Sequence, residues 1–112
     1  MSSKFKEDFV FTRGDDWTIV FEMTTDEVTP MDVSGRTYAM QMRTTTEATT
    51  ATASFTCTVG GAGNNEVTCS LGDATTATIR PGSYVWDIQE TSSGVVSTLG
   101  YGSIKVVADV TR

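Results

Sequence analysis

Residues 83–90 constrain the fold more than any other part of this chain, because their side chains alternate in character along the backbone. A β-strand points successive side chains to opposite faces of its sheet. The large apolar residues that fall on one face are Tyr84, Trp86 and Ile88. Pro81 and Gly82 precede them and form a turn, because proline presets the first corner and glycine frees the next. The pattern predicts an inner strand with one buried face.

Short stretches of the same kind recur along the chain, separated by turn residues. Threonine, which suits strands and keeps their exposed faces soluble, is abundant. Tyr84 follows a turn, as does the tyrosine that closes a corner in immunoglobulin-like domains. The sequence therefore predicts an all-β chain that forms a single immunoglobulin-like antiparallel β-sandwich of about seven to nine short strands. A small barrel is the alternative architecture.

The 112 residues are enough for one domain with one core. Residues 1–8 are polar and charged, and we expect them to form a flexible N-terminal arm. Residues 9–112 are expected to form the sandwich domain. The predicted connections are a surface loop at 44–52, a hairpin loop at 60–65, a link with a short strand at its end at 72–79, and a bend at 100–102.

Charge and composition disfavour several classes of function. The net charge of −6 disfavours binding to the phosphate backbone of nucleic acids. The sequence contains no histidine, which is the commonest general base and the commonest neutral metal ligand. No apolar run is long enough to span a membrane, and the first residues lack the apolar centre of a signal peptide. We therefore expect synthesis in a cytoplasm and no nucleic-acid or membrane partner.

The acidic and aromatic residues predict no reaction centre. Asp87 and Glu90 would point to opposite faces of one strand, which disfavours them as the carboxylate pair of a glycosidase. Trp17 and Trp86 lie on apolar faces, where core packing is a better interpretation than stacking on sugars. We expect a protein that is not an enzyme and that has no cofactor and no metal site. A carbohydrate-binding module is a less favoured alternative, because it would require exposed aromatic rings.

Cys57 and Cys69 flank the predicted hairpin loop symmetrically, so counting the register places them opposite each other on paired strands. Two buried free thiols are the favoured interpretation in a protein made in a reducing cytoplasm. A cross-strand disulfide is the second interpretation. A metal site is the least favoured, because two cysteines without histidine supply too few ligands.

Several motifs resemble those of small structural domains of tailed bacteriophages. They are FVFTRGDDW at 9–17, PMDVSGRTY at 30–38, PGSYVWDIQ at 81–89, GVVSTL at 94–99 and GSIKV at 102–106. Together they are similar to the immunoglobulin-like domain at the N-terminus of upper baseplate proteins of siphophages. The resemblance covers almost the whole chain, from about residue 9 to residue 111. Its motifs are strand and turn patterns, which are less specific than catalytic signatures.

The resemblance implies a multicopy or homo-oligomeric virion protein without enzymatic activity, made in the cytoplasm of the bacterial host. Its partners would be other virion proteins of the tail, the fibre or the major capsid protein. The favoured role is an attachment or adaptor subunit of the tail, baseplate or fibre assembly, and the alternative is capsid decoration on the phage head. The expected contact residues are Phe5 and Phe9 in the N-terminal segment, followed by Gly61 and Asn64 in the hairpin loop.

Overall fold

The computed structural model describes residues 5–24, 29 and 31–110. These residues form eight strands and one short helix. In chain order they are β1 (Phe5–Lys6), β2 (Phe9–Thr12), β3 (Trp17–Glu22), β4 (Thr37–Arg43), β5 (Ala53–Gly60), β6 (Glu66–Leu71), α1 (Asp73–Thr76), β7 (Gly82–Ser92) and β8 (Val95–Val107). The predicted all-β sandwich is confirmed, and its strand number lies within the expected range.

The strands form a curled sheet with the order β1-β8-β7-β4-β5-β6-β3, and β2 also pairs with β8. Strand β5 joins the two halves of the sandwich. Its first residues pair with β4, and Phe55 lies opposite Met40, whereas residues 56–60 pair with β6. One difference from the expected antiparallel pattern lies at the N-terminus, where β1 and β2 run parallel to β8.

The core is formed by the inward faces of these strands, as the alternating pattern predicts. In β3 every second side chain is buried, and in β7 the same alternation runs from Tyr84 to Glu90. Trp17 and Trp86 expose 1% and 3% of their surface, so their predicted role in core packing is confirmed. The indole N–H of Trp17 donates to the carbonyl oxygen of Thr12 at 2.8 Å, which satisfies its polar atom inside the core.

Tyr84 closes a corner of the fold, as its position after the Pro81-Gly82 turn predicts. Its side chain is buried, and its hydroxyl donates to the carbonyl oxygen of Arg80 at 2.6 Å. This bond ties the start of β7 to the connection that leaves α1. It matches the tyrosine corner of immunoglobulin-like domains.

Replacing Tyr84 with phenylalanine should lower the free energy of unfolding by about 1 kcal/mol, because the ring packing remains and one neutral hydrogen bond is lost. Chemical denaturation of the two proteins measures this difference. Tyr101→Phe is the matched control, since the side chain of Tyr101 is 47% exposed. Equal losses in both variants would mean that the corner contributes no stability.

The N-terminal segment differs most from its prediction. Residues 5 and 6 form β1 instead of belonging to a flexible arm, and Asp8 accepts hydrogen bonds from the backbone and the hydroxyl of Ser103. The rings of Phe5 and Phe9 pack against Trp86, with centroid distances of 6.3 and 5.4 Å. Burial of these two apolar rings stabilises the folded segment, whereas a solvated arm would leave them in water. The first four residues of the predicted arm lie outside the described part of the chain.

Two connections also differ from their predictions. Residues 72–79 form the short helix α1 and a turn in place of a terminal strand, and the buried hydroxyl of Thr76 donates to the carbonyl oxygen of Asp15. The predicted bend at 100–102 is part of the continuous strand β8. The irregularity lies one residue earlier, where Leu99 is an extra residue between the pairs Ile88–Gly100 and Gln89–Thr98.

Candidate interaction surface

One end of the sandwich, which we call the loop end, carries the hairpin loop at 61–65 and the β7–β8 turn at 93–94. β4 begins there at Thr37, opposite Thr91 near the end of β7. Because β5 runs antiparallel to β4 and β6 runs antiparallel to β5, the hairpin loop at 61–65 lies at this same end. β3 also ends there, since Glu22 lies opposite Glu66. The register of the strands therefore brings the hairpin loop and the β7–β8 turn to one side of the molecule.

The predicted contact residues Gly61 and Asn64 are both exposed at the loop end. The loop that carries them is held by backbone hydrogen bonds. The carbonyl oxygen of Asn64 accepts from the amide of Val33 at 2.9 Å, and that of Asn65 accepts from the amide of Met23 at 2.6 Å. The loop thus presents its side chains from an anchored backbone, which favours a preformed contact surface.

The tip of the β7–β8 hairpin adds an apolar element to the loop end. Val95 and Val96 are neighbours in sequence and expose 64% and 59% of their surface. The turn before them contains Ser93 and Gly94 with φ angles of 51° and 81°, which is the geometry of a two-residue type I′ hairpin. β4 reaches as far as Thr91, so the hairpin tip projects beyond its neighbour. The two adjacent valines therefore form a small apolar patch on a projecting tip, which makes the tip a candidate contact point.

The alternating sequence pattern alone does not identify this tip as a contact point. Its signal was present, because two β-branched apolar residues directly follow a serine–glycine turn in Val95 and Val96. Alternation alone predicts that one of two neighbouring side chains is buried. The prediction fails at the tip because β4 and the described part of β1 stop short of Val95 and Val96, so neither strand buries their side chains.

Phe5 and Phe9, the other predicted contact residues, do not join the loop end. Both are partly buried and pack against the core. The ring of Phe5 also contacts Phe21, with centroids 5.6 Å apart. Their rings therefore pack inside the sandwich and are not free to contact a partner, whereas Gly61 and Asn64 are exposed.

A polar cluster supports the base of the loop end. Glu90 is 9% exposed and accepts a hydrogen bond from the hydroxyl of Tyr38 at 2.6 Å. The guanidinium of Arg36 lies 3.3 Å from the same carboxylate. Burial, aided by the hydrogen bond to Glu90, raises the pKa of Tyr38 well above its usual value. The cluster links β4 to β7 directly beneath the hairpin tip.

The raised pKa of Tyr38 predicts a loss of stability in alkali. The unfolded chain releases the phenolic proton near pH 10, whereas the folded chain retains it to higher pH. The free energy of unfolding should therefore fall as the pH rises above about 10. Tyr38→Phe lacks this proton, so its stability should fall less steeply. Denaturation of both proteins between pH 9 and about 11.5 tests this, and parallel curves would contradict it.

A separate cavity of about 300 Å³ lies on the outer face of β4, β7 and β8. Its lining residues are Gln41, Arg43, Thr46, Val85, Trp86, Asp87, Tyr101 and Gly102. Arg43 is oriented by hydrogen bonds of 2.9 Å to the backbone oxygen of Ala48 and the side-chain oxygen of Gln41. Burial raises the pKa of Asp87, and the charge of Arg43 opposes this shift. The cavity therefore presents one anion, one cation and the exposed ring of Tyr101.

Within the described ranges, no group of three or more potential metal ligands converges on one point. The helix in these ranges is too short to cross a membrane. No family model matches the sequence, and no curated protein matches it.

Solved structures show what the fold resembles. The second immunoglobulin domain of the mouse polymeric immunoglobulin receptor matches over 94% of this chain and 99% of its own, with a TM-score of 0.53 and 9% identity. This chain has an immunoglobulin-like β-sandwich fold. InlP of Listeria monocytogenes matches over 95% of this chain with a TM-score of 0.54 and 19% identity. The matched region spans 28% of the InlP chain, and at these identities the likeness concerns the fold alone.

Proposed function

We propose that this immunoglobulin-like domain is a non-enzymatic structural subunit of a tailed-bacteriophage virion, where it serves as an attachment or adaptor subunit. The observation that carries the attachment role is the loop end, where the exposed Val95 and Val96 and the anchored loop of Gly61 and Asn64 lie at the same end of the sandwich. The motif resemblance to phage structural domains supplies the virion setting. Repetition around the particle would turn a small contact into firm attachment.

The chemistry of the loop end favours a protein partner. Burying two valines in a partner's groove removes apolar surface from water, and the surrounding backbone and asparagine supply hydrogen bonds at the rim. The net charge of −6 keeps free subunits apart and favours a basic docking site on the partner. A tail, baseplate or fibre protein is the proposed partner, and the major capsid protein is the alternative for a decoration role.

Serine substitution of both valines tests the attachment surface. Val95→Ser with Val96→Ser should reduce the amount of this chain on purified particles at least about tenfold, because each valine contributes binding energy through its burial. Quantitative mass spectrometry, normalised to the major capsid protein, measures this occupancy. We expect this double variant to fold as the wild-type chain does, because both side chains project into solvent.

The matched control replaces exposed valines that lie away from the loop end. Val10→Ser with Val110→Ser changes side chains that are 67% and 94% exposed, one on β2 and one just after the end of β8. This variant should remain on particles at the wild-type level. Equal occupancy of the two double variants would remove the loop end from the proposal.

Carbohydrate binding is a second candidate, favoured by the cavity that holds Asp87, Arg43 and Tyr101. A carboxylate beside a guanidinium suits a neutral ligand with hydroxyl groups, because a charged ligand would meet one like charge. An exposed tyrosine ring can stack on the apolar face of a sugar. Binding of the isolated chain to host-cell polysaccharide, lost in Tyr101→Ala and kept in the Val95/Val96 double variant, would support this function over the first.

A further inference from the structure

Cys57 and Cys69 form a close pair of free thiols inside the sandwich. They lie opposite each other in the register of β5 and β6, and their sulfur atoms are 3.1 Å apart. A disulfide bond is about 2.05 Å long, so a movement of about 1 Å would bring the two sulfurs to bonding distance. The predicted placement of the two cysteines is thereby confirmed, and the reduced pair is positioned for oxidation.

The two thiols differ in access and acidity. Cys69 is fully buried, whereas Cys57 is partly exposed near the point where β5 leaves β4. The thiol of Cys69 donates a hydrogen bond that lowers the pKa of Cys57, against the effect of burial. The same hydrogen bond, followed by burial, raises the pKa of Cys69. A small oxidant therefore meets Cys57 first, and this is the thiol that ionises more readily.

We propose that Cys57 and Cys69 are a peroxide-sensitive oxidation site that closes to a disulfide across β5 and β6. The Cys57 thiolate attacks one oxygen of hydrogen peroxide, the O–O bond breaks, and Cys57 becomes a sulfenic acid. The Cys69 sulfur then attacks the Cys57 sulfur, and hydroxide leaves with the proton that Cys69 releases. In total, two thiols lose two electrons and two protons, and one peroxide is reduced to two waters.

The disulfide would link β5, the strand that joins the two halves of the sandwich, covalently to β6. It would enclose the 60–65 hairpin loop in a short covalent ring, which restricts the unfolded chain. A chain made reduced in a cytoplasm would become more stable after exposure to an oxidising exterior. This inference rests on the thiol geometry and is independent of the proposed virion function.

The test treats the reduced full-length chain with stoichiometric hydrogen peroxide and measures its intact mass. The expected product is a monomer that has lost the mass of two hydrogen atoms and whose Tm rises by roughly 5–10 °C until a reductant is added. Cleavage after Glu66, which lies between the cysteines, should give two peptides joined by a disulfide. A chain that keeps two free thiols, or that forms disulfides between molecules instead, overturns the proposal.

Single variants test the order of the steps. Cys69→Ser should accumulate a sulfenic acid on Cys57 that dimedone captures, because the resolving thiol is absent. Cys57→Ser should leave the buried Cys69 unmodified under the same conditions. Equal labelling of both variants contradicts the assigned roles. The mass measurement on the wild-type chain stands even if a variant fails to fold.

Discussion

Gly102→Ala is expected to lower the free energy of unfolding by roughly 2–5 kcal/mol, one of the largest effects of any single substitution in this chain. A Cβ atom at position 102 would overlap the backbone carbonyl oxygen of Glu7. That oxygen accepts the indole N–H of Trp86 at 2.9 Å, and the amide of Glu7 donates to Tyr101 at 3.0 Å. The N-terminal segment would have to leave β8, and the buried indole would lose its partner.

Chemical denaturation measures the stability loss, and hydrogen exchange of the Glu7 amide reports whether the segment has left β8. Gly60→Ala is the matched control, because Gly60 also lies in a strand and a Cβ there meets nothing within 4 Å. The control should change stability by less than about 0.5 kcal/mol. An alanine at position 102 that leaves both stability and Glu7 protection unchanged would refute the close packing of the N-terminal segment.

The same packing changes what a deletion of residues 1–8 should do. The sequence alone predicts a flexible arm whose removal leaves the fold intact and abolishes attachment. Phe5 and Asp8 instead contact Trp86 and Ser103, so the deletion should destabilise the domain. Loss of attachment after this deletion would then reflect unfolding as much as a missing contact, and the valine variants are the cleaner test.

Trp17→Ala is expected to cost about 3–5 kcal/mol of stability, because it empties a large space in the core. The ring of Trp17 is 1% exposed and stacks on Phe11 with centroids 4.9 Å apart. This stacking packs β2, which pairs with β8 near one edge of the curled sheet, against β3 at the other edge. The substitution should therefore weaken the closure of the sandwich as well as the core itself.

Two further variants separate the contributions of the ring. Trp17→Phe keeps an aromatic surface for Phe11 and loses the hydrogen bond to Thr12, so its stability should fall between wild type and Trp17→Ala. Tyr101→Ala removes an exposed aromatic ring and should cost less than about 1 kcal/mol. If Trp17→Ala and Tyr101→Ala had the same midpoint in urea, the central role of Trp17 would be wrong.

Local patterns predicted the fold well wherever one face of a strand is buried. The alternation around Trp17 and Trp86 predicted the inner strands, and the turn before Tyr84 predicted the closed corner. The N-terminal strand was missed because its signal lies far away in the sequence. Gly100 and Gly102 lack side chains where the Phe5 ring and the Glu7 backbone lie, and a turn is the usual local interpretation of such glycines.

The position of the loops that form the proposed contact surface was predicted in part. The loop of Gly61 and Asn64 follows from its glycine-rich composition, which marks a hairpin loop without reference to distant residues. The exposure of Val95 and Val96 depends on where β4 begins relative to the β7–β8 hairpin. That relative position is set by strand pairing in the folded sheet, so the sequence alone does not show it. The cavity beside Asp87 depends likewise on three strands that are distant in sequence.

The most direct test of the proposed function is imaging of intact phage particles that carry this chain with a label after Arg112. β8 begins near the loop end and ends at Val107, at the opposite end of the sandwich. The account predicts label on the tail, the baseplate or the fibres, in a small number of copies per particle. Label spread over the head would support the decoration role instead. Purified particles without label would contradict the virion assignment itself.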